Sequence, residues 1–267
     1  MEISHQKICV IGGGNLGIAI AKGIVSQQLV EKGNLTVTKR RLESISSLQS
    51  IGIITSSSNR EAASVASLVI LCVQPKQLPQ VLEEIRPVMK DQLIISTVAG
   101  TTISELIEAL GGSASVIRAM PNTASAVGQS MTCLAASAED QNFIPLAEKL
   151  FSAIGDTLVI EERLMQAATV LGASGIAFFM RYLRAATQGG IQMGFHPEEA
   201  QRIAVQTAKG AATLILEQGS HPEVEIDKVT TPQGCTISGL NEMEHQGFSS
   251  ALIKGLMTSF DKLNTIK

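Results

Sequence analysis

The chain has 267 residues, 45% hydrophobic and 17% charged, with a formal net charge of −3. That length suits two domains better than one small core, and the composition excludes a disordered chain. With no basic surplus, no Trp and one Tyr, neither nucleic acid nor an anionic lipid surface is an expected partner.

The N-terminal run Met1–Gln6 has no signal-peptide pattern. Ile8–Ile11 is a β-prone apolar run that opens directly into Gly12-x-Gly14-x-x-Gly17, and Leu16, Ile18, Ala19, Ile20 and Ile24 continue as a helical pattern. Strand, glycine turn, helix is the context that gives this motif meaning. Gly12 permits the tight turn, Gly14 lets a pyrophosphate approach the backbone, and Gly17 lets helix and strand pack closely. The N–H groups at the helix start, around Asn15 and Leu16, can then hold the pyrophosphate with the help of the helix dipole. Leu35–Thr38 predicts a second strand. A NAD site would place an acid at its end to bind the ribose 2′-hydroxyl. Thr38 is followed instead by Lys39, Arg40 and Arg41, which favours NADP; the alternative is a solvated basic turn.

A helical stretch to about Ser50 and a short helix from Asn59 follow. Leu68–Val73 and Leu93–Val98 are continuous apolar runs, as expected of parallel strands buried on both faces. Between them Pro75 suits the first turn of a helix carrying Leu78, Val81, Leu82 and Ile85. Ile103, Leu106, Ile107 and Leu110 predict another helix, closed by Gly111-Gly112. Ser115–Arg118 leads into Met120-Pro121-Asn122-Thr123. This alternation implies a doubly wound, mostly parallel sheet of Rossmann type over residues 1–160. Ligands of such sheets bind beyond the carboxyl ends of the strands. Gly12–Gly17, Lys39–Arg41, Val73–Lys76, Ala99–Gly100 and Met120–Thr123 all fall there.

Met131–Ala136 and Thr157–Ile160 predict edge strands around a helix, Phe143–Ile154. Beyond Glu161 strand-like runs largely disappear. Long helical patterns cover 161–193 and 197–218, with helices near 236–245 and 248–263, so residues 161–267 form a helical second domain. Leu171–Ile191 is apolar nearly all round and must be buried on every side. A second copy of the chain would cover it, so a homodimer, or a larger assembly of dimers, is expected through this domain. No apolar run of 18 or more residues is free of polar breaks, so no membrane span is expected. Cys9, Cys72, Cys133 and Cys235 lie far apart and read as small residues of a reduced, cytoplasmic protein, not as disulfides or metal ligands; no metal is expected.

Taken together, these residues resemble the pyrroline-5-carboxylate reductases, which reduce a cyclic imine carboxylate to proline with NAD(P)H. Beyond the glycine loop the resemblance rests on Arg118-Ala-Met-Pro-Asn-Thr123, on Val170-Leu-Gly-Ala-Ser-Gly175 and, most specifically, on Val229-Thr-Thr-Pro-Gln-Gly-Cys-Thr-Ile237. It implies that Asn59 and Val73, Gln74, Pro75 and Lys76 line the cofactor, and that Met120, Pro121 and Asn122 lie near the nicotinamide. It also implies that Ser174, Gly175, Gly234, Cys235 and Thr236 face the substrate. Gln74, Ala124, Ile176, Phe178 and Gln233 depart from the family pattern, which has Lys, Pro, Pro, Tyr and Gly at these places.

A cyclic imine accepts hydride once its nitrogen is protonated, so such a reaction needs positioning and charge management more than a strong acid. Pro232–Thr236 is a turn feeding a helix. Its free N–H groups and the Thr236 hydroxyl could bind a carboxylate, or merely cap the helix. Thr236 is the expected catalytic residue, orienting the substrate without acting as general acid. His196 and His221 each lead into a helix and His245 faces solvent; none is assigned a role. Two other readings remain open. A β-hydroxyacid dehydrogenase shares the two-domain layout, but Gly172–Arg184 has neither the Lys nor the Asn of that family's catalytic helix. A non-catalytic NADP-binding regulatory protein is the other.

Overall fold

The computed structural model describes residues 3–31 and 33–265. By Cα packing the chain divides into two compact units, residues 1–174 with 262–267, and residues 175–261.

The first unit is built on one eight-stranded sheet in the order β3-β2-β1-β4-β5-β6-β7-β8. The strands are β1 (Ile8–Ile11), β2 (Leu35–Thr38), β3 (Ile54–Ser56), β4 (Leu68–Leu71), β5 (Leu93–Ser96), β6 (Ser115–Met120), β7 (Ser130–Ala136) and β8 (Gly155–Val159). Every neighbouring pair is parallel except β6 and β7. Helices α1 (Asn15–Ser26), α2 (Asn59–Val65), α3 (Leu78–Ile85), α4 (Ile103–Leu110) and α5 (Ile144–Phe151) provide the connections. The doubly wound architecture matches the expectation from the alternating apolar runs.

Burial explains why those runs were legible. Every residue of β1, β4 and β5 is buried, and the two faces feed two separate cores. Val10, Ile70 and Ile95 pack with α1 and α5, whereas Cys9, Val69 and Ile94 pack with α2, α3 and α4. Each Val, Leu or Ile so buried stabilises the fold by about 1.5–3 kcal/mol, so polar substitutions in these strands are strongly disfavoured.

Local differences from the sequence reading have physical causes. β3 is a three-residue strand at the edge of the sheet, too short and too exposed to leave a pattern. Residues 42–51 form a 3₁₀ helix, not an α-helix. Its Ser44, Ser46 and Ser50 hydroxyls each donate to the carbonyl three residues back, a local competitor of α-helical pairing.

After β8 a 3₁₀ turn (Glu162–Leu164) and the short α6 (Met165–Ala168) lead into a π-helical segment, Thr169–Ser174. The second unit holds α7 (Gly175–Gln192), α8 (Pro197–Gln218), α9 (Pro222–Val229), α10 (Cys235–His245) and most of α11 (Phe248–Thr265). α7 and α8 pack closely because a Cβ on Gly190 would stand 2.8 Å from the Ala200 Cβ. Gly194, at φ +108°, reverses the chain between them. α9 did not register in the apolar periodicity: none of its residues is buried. The helical run Glu162–Gln192 is long and apolar enough to cross a membrane by length and composition alone, although Arg181 and Arg184 interrupt it.

Candidate active site

The sheet order sets the segments after β2, β1, β4, β5 and β6 side by side at one carboxyl edge. β1 is where the order reverses, the switch point at which such sheets bind ligands.

The glycine turn has the geometry its motif implies. Gly12 sits at φ +113°, and a Cβ there would collide with the Cys72 carbonyl. A Cβ on Gly17 would collide with the Gly12 carbonyl, so strand and helix could not close as they do. Gly14 differs: nothing lies within 4 Å of where its Cβ would be, so its surface is open to a ligand. Gly14 is also the N-cap of α1 and supplies no side-chain acceptor, leaving the first-turn N–H groups, around Asn15 and Leu16, uncapped by any side chain. An open glycine before an uncapped helix start suits the pyrophosphate of a dinucleotide.

The next segment of this edge follows β2. Lys39 is half-buried, Arg40 and Arg41 are exposed, and none forms an ion pair among the described residues. The buried Thr38 hydroxyl donates to Asn59 Oδ1 at 2.5 Å, and Asn59 Nδ2 donates to Glu84 Oε2 at 2.9 Å. Glu84, on α3, left no mark in the sequence. Next to β1, Val73 and Gln74–Lys76 follow β4, and Gln74 N–H donates to the Gln77 side chain as the chain turns into α3.

Ala99 and Gly100 follow β5. Gly100 takes φ +81°, and Ala99 packs against a small cluster of Met120, Cys133, Ala135 and Met165. Met120, the last residue of β6, and Pro121 after it are buried. Asn122 is held on three sides. Its N–H donates to Ser130 Oγ at 2.9 Å, its Oδ1 accepts from Ala124 N–H at 3.0 Å, and its Nδ2 donates to the Gly172 carbonyl at 3.3 Å. That last bond joins the Met-Pro-Asn-Thr loop to the π-helical segment, which ends on Ser174. π-segments recur at functional sites, and nothing in the periodicity distinguishes this one from an α-helix.

In the second unit, Thr231–Gly234 forms a turn closed by Gly234 N–H donating to the Thr231 carbonyl at 2.9 Å. Gln233 occupies its third position at φ +59°, a left-handed conformation that Gly adopts freely and Gln does not. Gly234 is the N-cap of α10 and again supplies no side-chain acceptor. Cys235 and Thr236 are the first residues of the helix, and Cys235 is exposed. Gly175 begins α7.

Of the remaining cysteines, desolvation pushes the Cys9 and Cys72 thiols up to about 12 and raises that of Cys133, which disfavours the thiolate. One buried ionised group stands out. Arg118 on β6 is 5% exposed and donates through Nη1 to Glu162 Oε1 at 3.3 Å. Its Nε is buried without a hydrogen-bond partner, which costs about 1–3 kcal/mol.

Comparison with known proteins agrees with the fold. Residues 162–266 match the family model described as pyrroline-5-carboxylate reductase dimerisation. Residues 7–100 match the one described as NADP oxidoreductase, coenzyme F420-dependent. Pyrroline-5-carboxylate reductase 1 of Dictyostelium discoideum is 48% identical over 98% of this chain, which spans 50% of that relative's length. Pyrroline-5-carboxylate reductase 2 of the same organism is 44% identical over 97% of this chain and 92% of its own. A solved pyrroline-5-carboxylate reductase from Coxiella burnetii superposes with a TM-score of 0.91 at 29% identity, covering 97% of this chain and 98% of that one. With the second of these relatives 44% identical over 92% of its own length, the chain belongs to the pyrroline-5-carboxylate reductase family of oxidoreductases.

Proposed function

We propose that the chain carries out its family's reaction, the reduction of 1-pyrroline-5-carboxylate to L-proline, with NADPH preferred over NADH. The observation that carries the reading is the carboxyl edge of the sheet, where the open Gly14, the uncapped start of α1 and the unpaired cations after β2 suit a phosphorylated dinucleotide. A bound reduced nicotinamide supplies the hydride. Gly12, Gly14, Asn15, Leu16 and Gly17 hold the pyrophosphate; Lys39, Arg40 and Asn59 take the adenosine half. Val73–Lys76, Ala99, Gly100 and Met120–Asn122 border the nicotinamide half.

Ser174, Gly175, Gly234, Cys235 and Thr236 are assigned to the substrate. The N–H groups at the start of α10 suit its carboxylate. Among the described residues the Thr236 hydroxyl makes no hydrogen bond of its own, so it is free to donate to the substrate. A threonine hydroxyl is too weakly acidic to protonate the imine outright, so Thr236 orients and stabilises the already protonated ring. Residues 161–267 form the domain for dimerisation and substrate, and a second copy covers the apolar helix Glu162–Gln192 in preference to a lipid bilayer. A reducing cytoplasm fits the four free cysteines, one of them exposed.

A hydrogen bond that strengthens as charge shifts on the ring is worth about 1–3 kcal/mol. Thr236→Ala should therefore lower kcat/KM for pyrroline-5-carboxylate roughly 5- to 150-fold at unchanged NADPH affinity. Thr236→Ser should retain most of the activity. Full activity in Thr236→Ala contradicts this role.

A further inference from the structure

We propose that Arg118 and Glu162 form a positioning pair that holds the segment between β5 and α4 in the conformation that receives the nicotinamide half of the cofactor. The inference rests on the assignment of Ala99 and Gly100 to that half of the site.

Side chains alternate across β6, so Val116, Arg118 and Met120 share one face. Val116 packs into the core under α2, α3 and α4, and Met120 packs with Ala99 and Met165. Arg118 thus sits between two apolar clusters, where a charge is costly, and burial is the largest influence on its guanidinium, disfavouring the charged form. Glu162 is its partner, with Glu105 adding a further favourable field.

Glu162 does more than neutralise Arg118. The same oxygen, Oε1, accepts from the Ile103 N–H at 2.7 Å. That N–H is the first of α4, whose N-cap Thr102 is engaged separately with Glu105. One carboxylate oxygen therefore joins β6 to the start of α4. Only Thr97–Thr101 lies between β5 and the cap Thr102, and within it Gly100 at φ +81° is a point of backbone freedom. Tying down Ile103 removes that freedom.

A buried ion pair is weak support for stability, since a well-packed apolar replacement is often as stable. Here it does what an apolar pair cannot, because it aims an acceptor at a backbone N–H. The role therefore predicts that stability and cofactor affinity separate.

The test compares Arg118→Met/Glu162→Ala, Glu162→Ala, Glu162→Gln and Ala99→Leu with the wild-type protein, by thermal unfolding and by steady-state kinetics with NADPH. The double variant leaves no unpaired buried charge and should fold. Its KM for NADPH should rise about tenfold, the change expected when one charge-assisted hydrogen bond is lost, with kcat at saturation within about twofold. Glu162→Gln still offers an acceptor to Ile103 and should recover most of the affinity. Should the double variant not fold, Glu162→Asp, added to the set because it keeps a charge beside Arg118 while drawing the carboxylate back from the Ile103 N–H, carries the same prediction. Ala99→Leu reports on the assignment beneath the proposal and should also raise the KM for NADPH. If Ala99→Leu does so while the folded pair variants stay within twofold of wild type, the positioning role is overturned and the assignment stands. If Ala99→Leu has no effect, the assignment fails and takes the proposal with it.

Discussion

Lys39 and Arg40 carry their charges at the end of β2, where a NAD site would hold an acid, and no carboxylate among the described residues pairs with them. Charge-assisted contacts to a 2′-phosphate are worth about 1.5–3 kcal/mol each. Lys39→Ala/Arg40→Ala should therefore raise the KM for NADPH at least tenfold and leave that for NADH within about twofold. Equal effects on both would remove the argument for NADPH preference. These cations were legible because the motif sets their distance from the glycine turn. Glu84 was not, although it donates nothing and only accepts from Asn59, because its place beside Asn59 depends on how α3 packs against α2.

At the scale of elements, the turn into α10 shows what a single departure from the family pattern does. Gln233 holds a left-handed backbone in a turn whose third position suits Gly. An L-residue pays about 1–2 kcal/mol there, and Gly returns about 0.4–1 kcal/mol through the freedom of the unfolded chain. Gln233→Gly should therefore raise the melting temperature by about 1–3 °C, and the β-branched Gln233→Val should lower it. A Val variant as stable as wild type would show that the turn bears no strain. The π-helical segment is a second case. Residues 161–193 read as one helical pattern, yet Thr169–Ser174 is wound more loosely and offers the Gly172 carbonyl to Asn122. A widened turn changes the hydrogen-bond ring, not the apolar spacing, and so leaves little trace in the residues.

At the scale of the whole molecule, α7 and α11 leave Phe179, Met180, Ile253 and Met257 between 49% and 60% exposed, and Leu171 is 71% exposed. Exposure of this extent on one chain marks an interface, in keeping with the dimerisation family that residues 162–266 match. Light scattering at low micromolar concentration should give at least the mass of a dimer. A folded, active monomer of 28.2 kDa would contradict the proposal.

The sequence by itself determined the doubly wound sheet and the glycine turn. Each shows in residues close along the chain: apolar runs of strand length, a Gly17 whose Cβ would strike the Gly12 carbonyl, and helices that begin directly after strands. Tertiary structure alone decided what joins those parts. The edge strand β3, the bond from Asn122 to Gly172 and the pairing of Arg118 with Glu162 link residues far apart in sequence, up to 50 positions for Asn122 and Gly172. Such pairings follow from how helices settle on a finished sheet, and a polar residue carries no sign of the partner it will meet there.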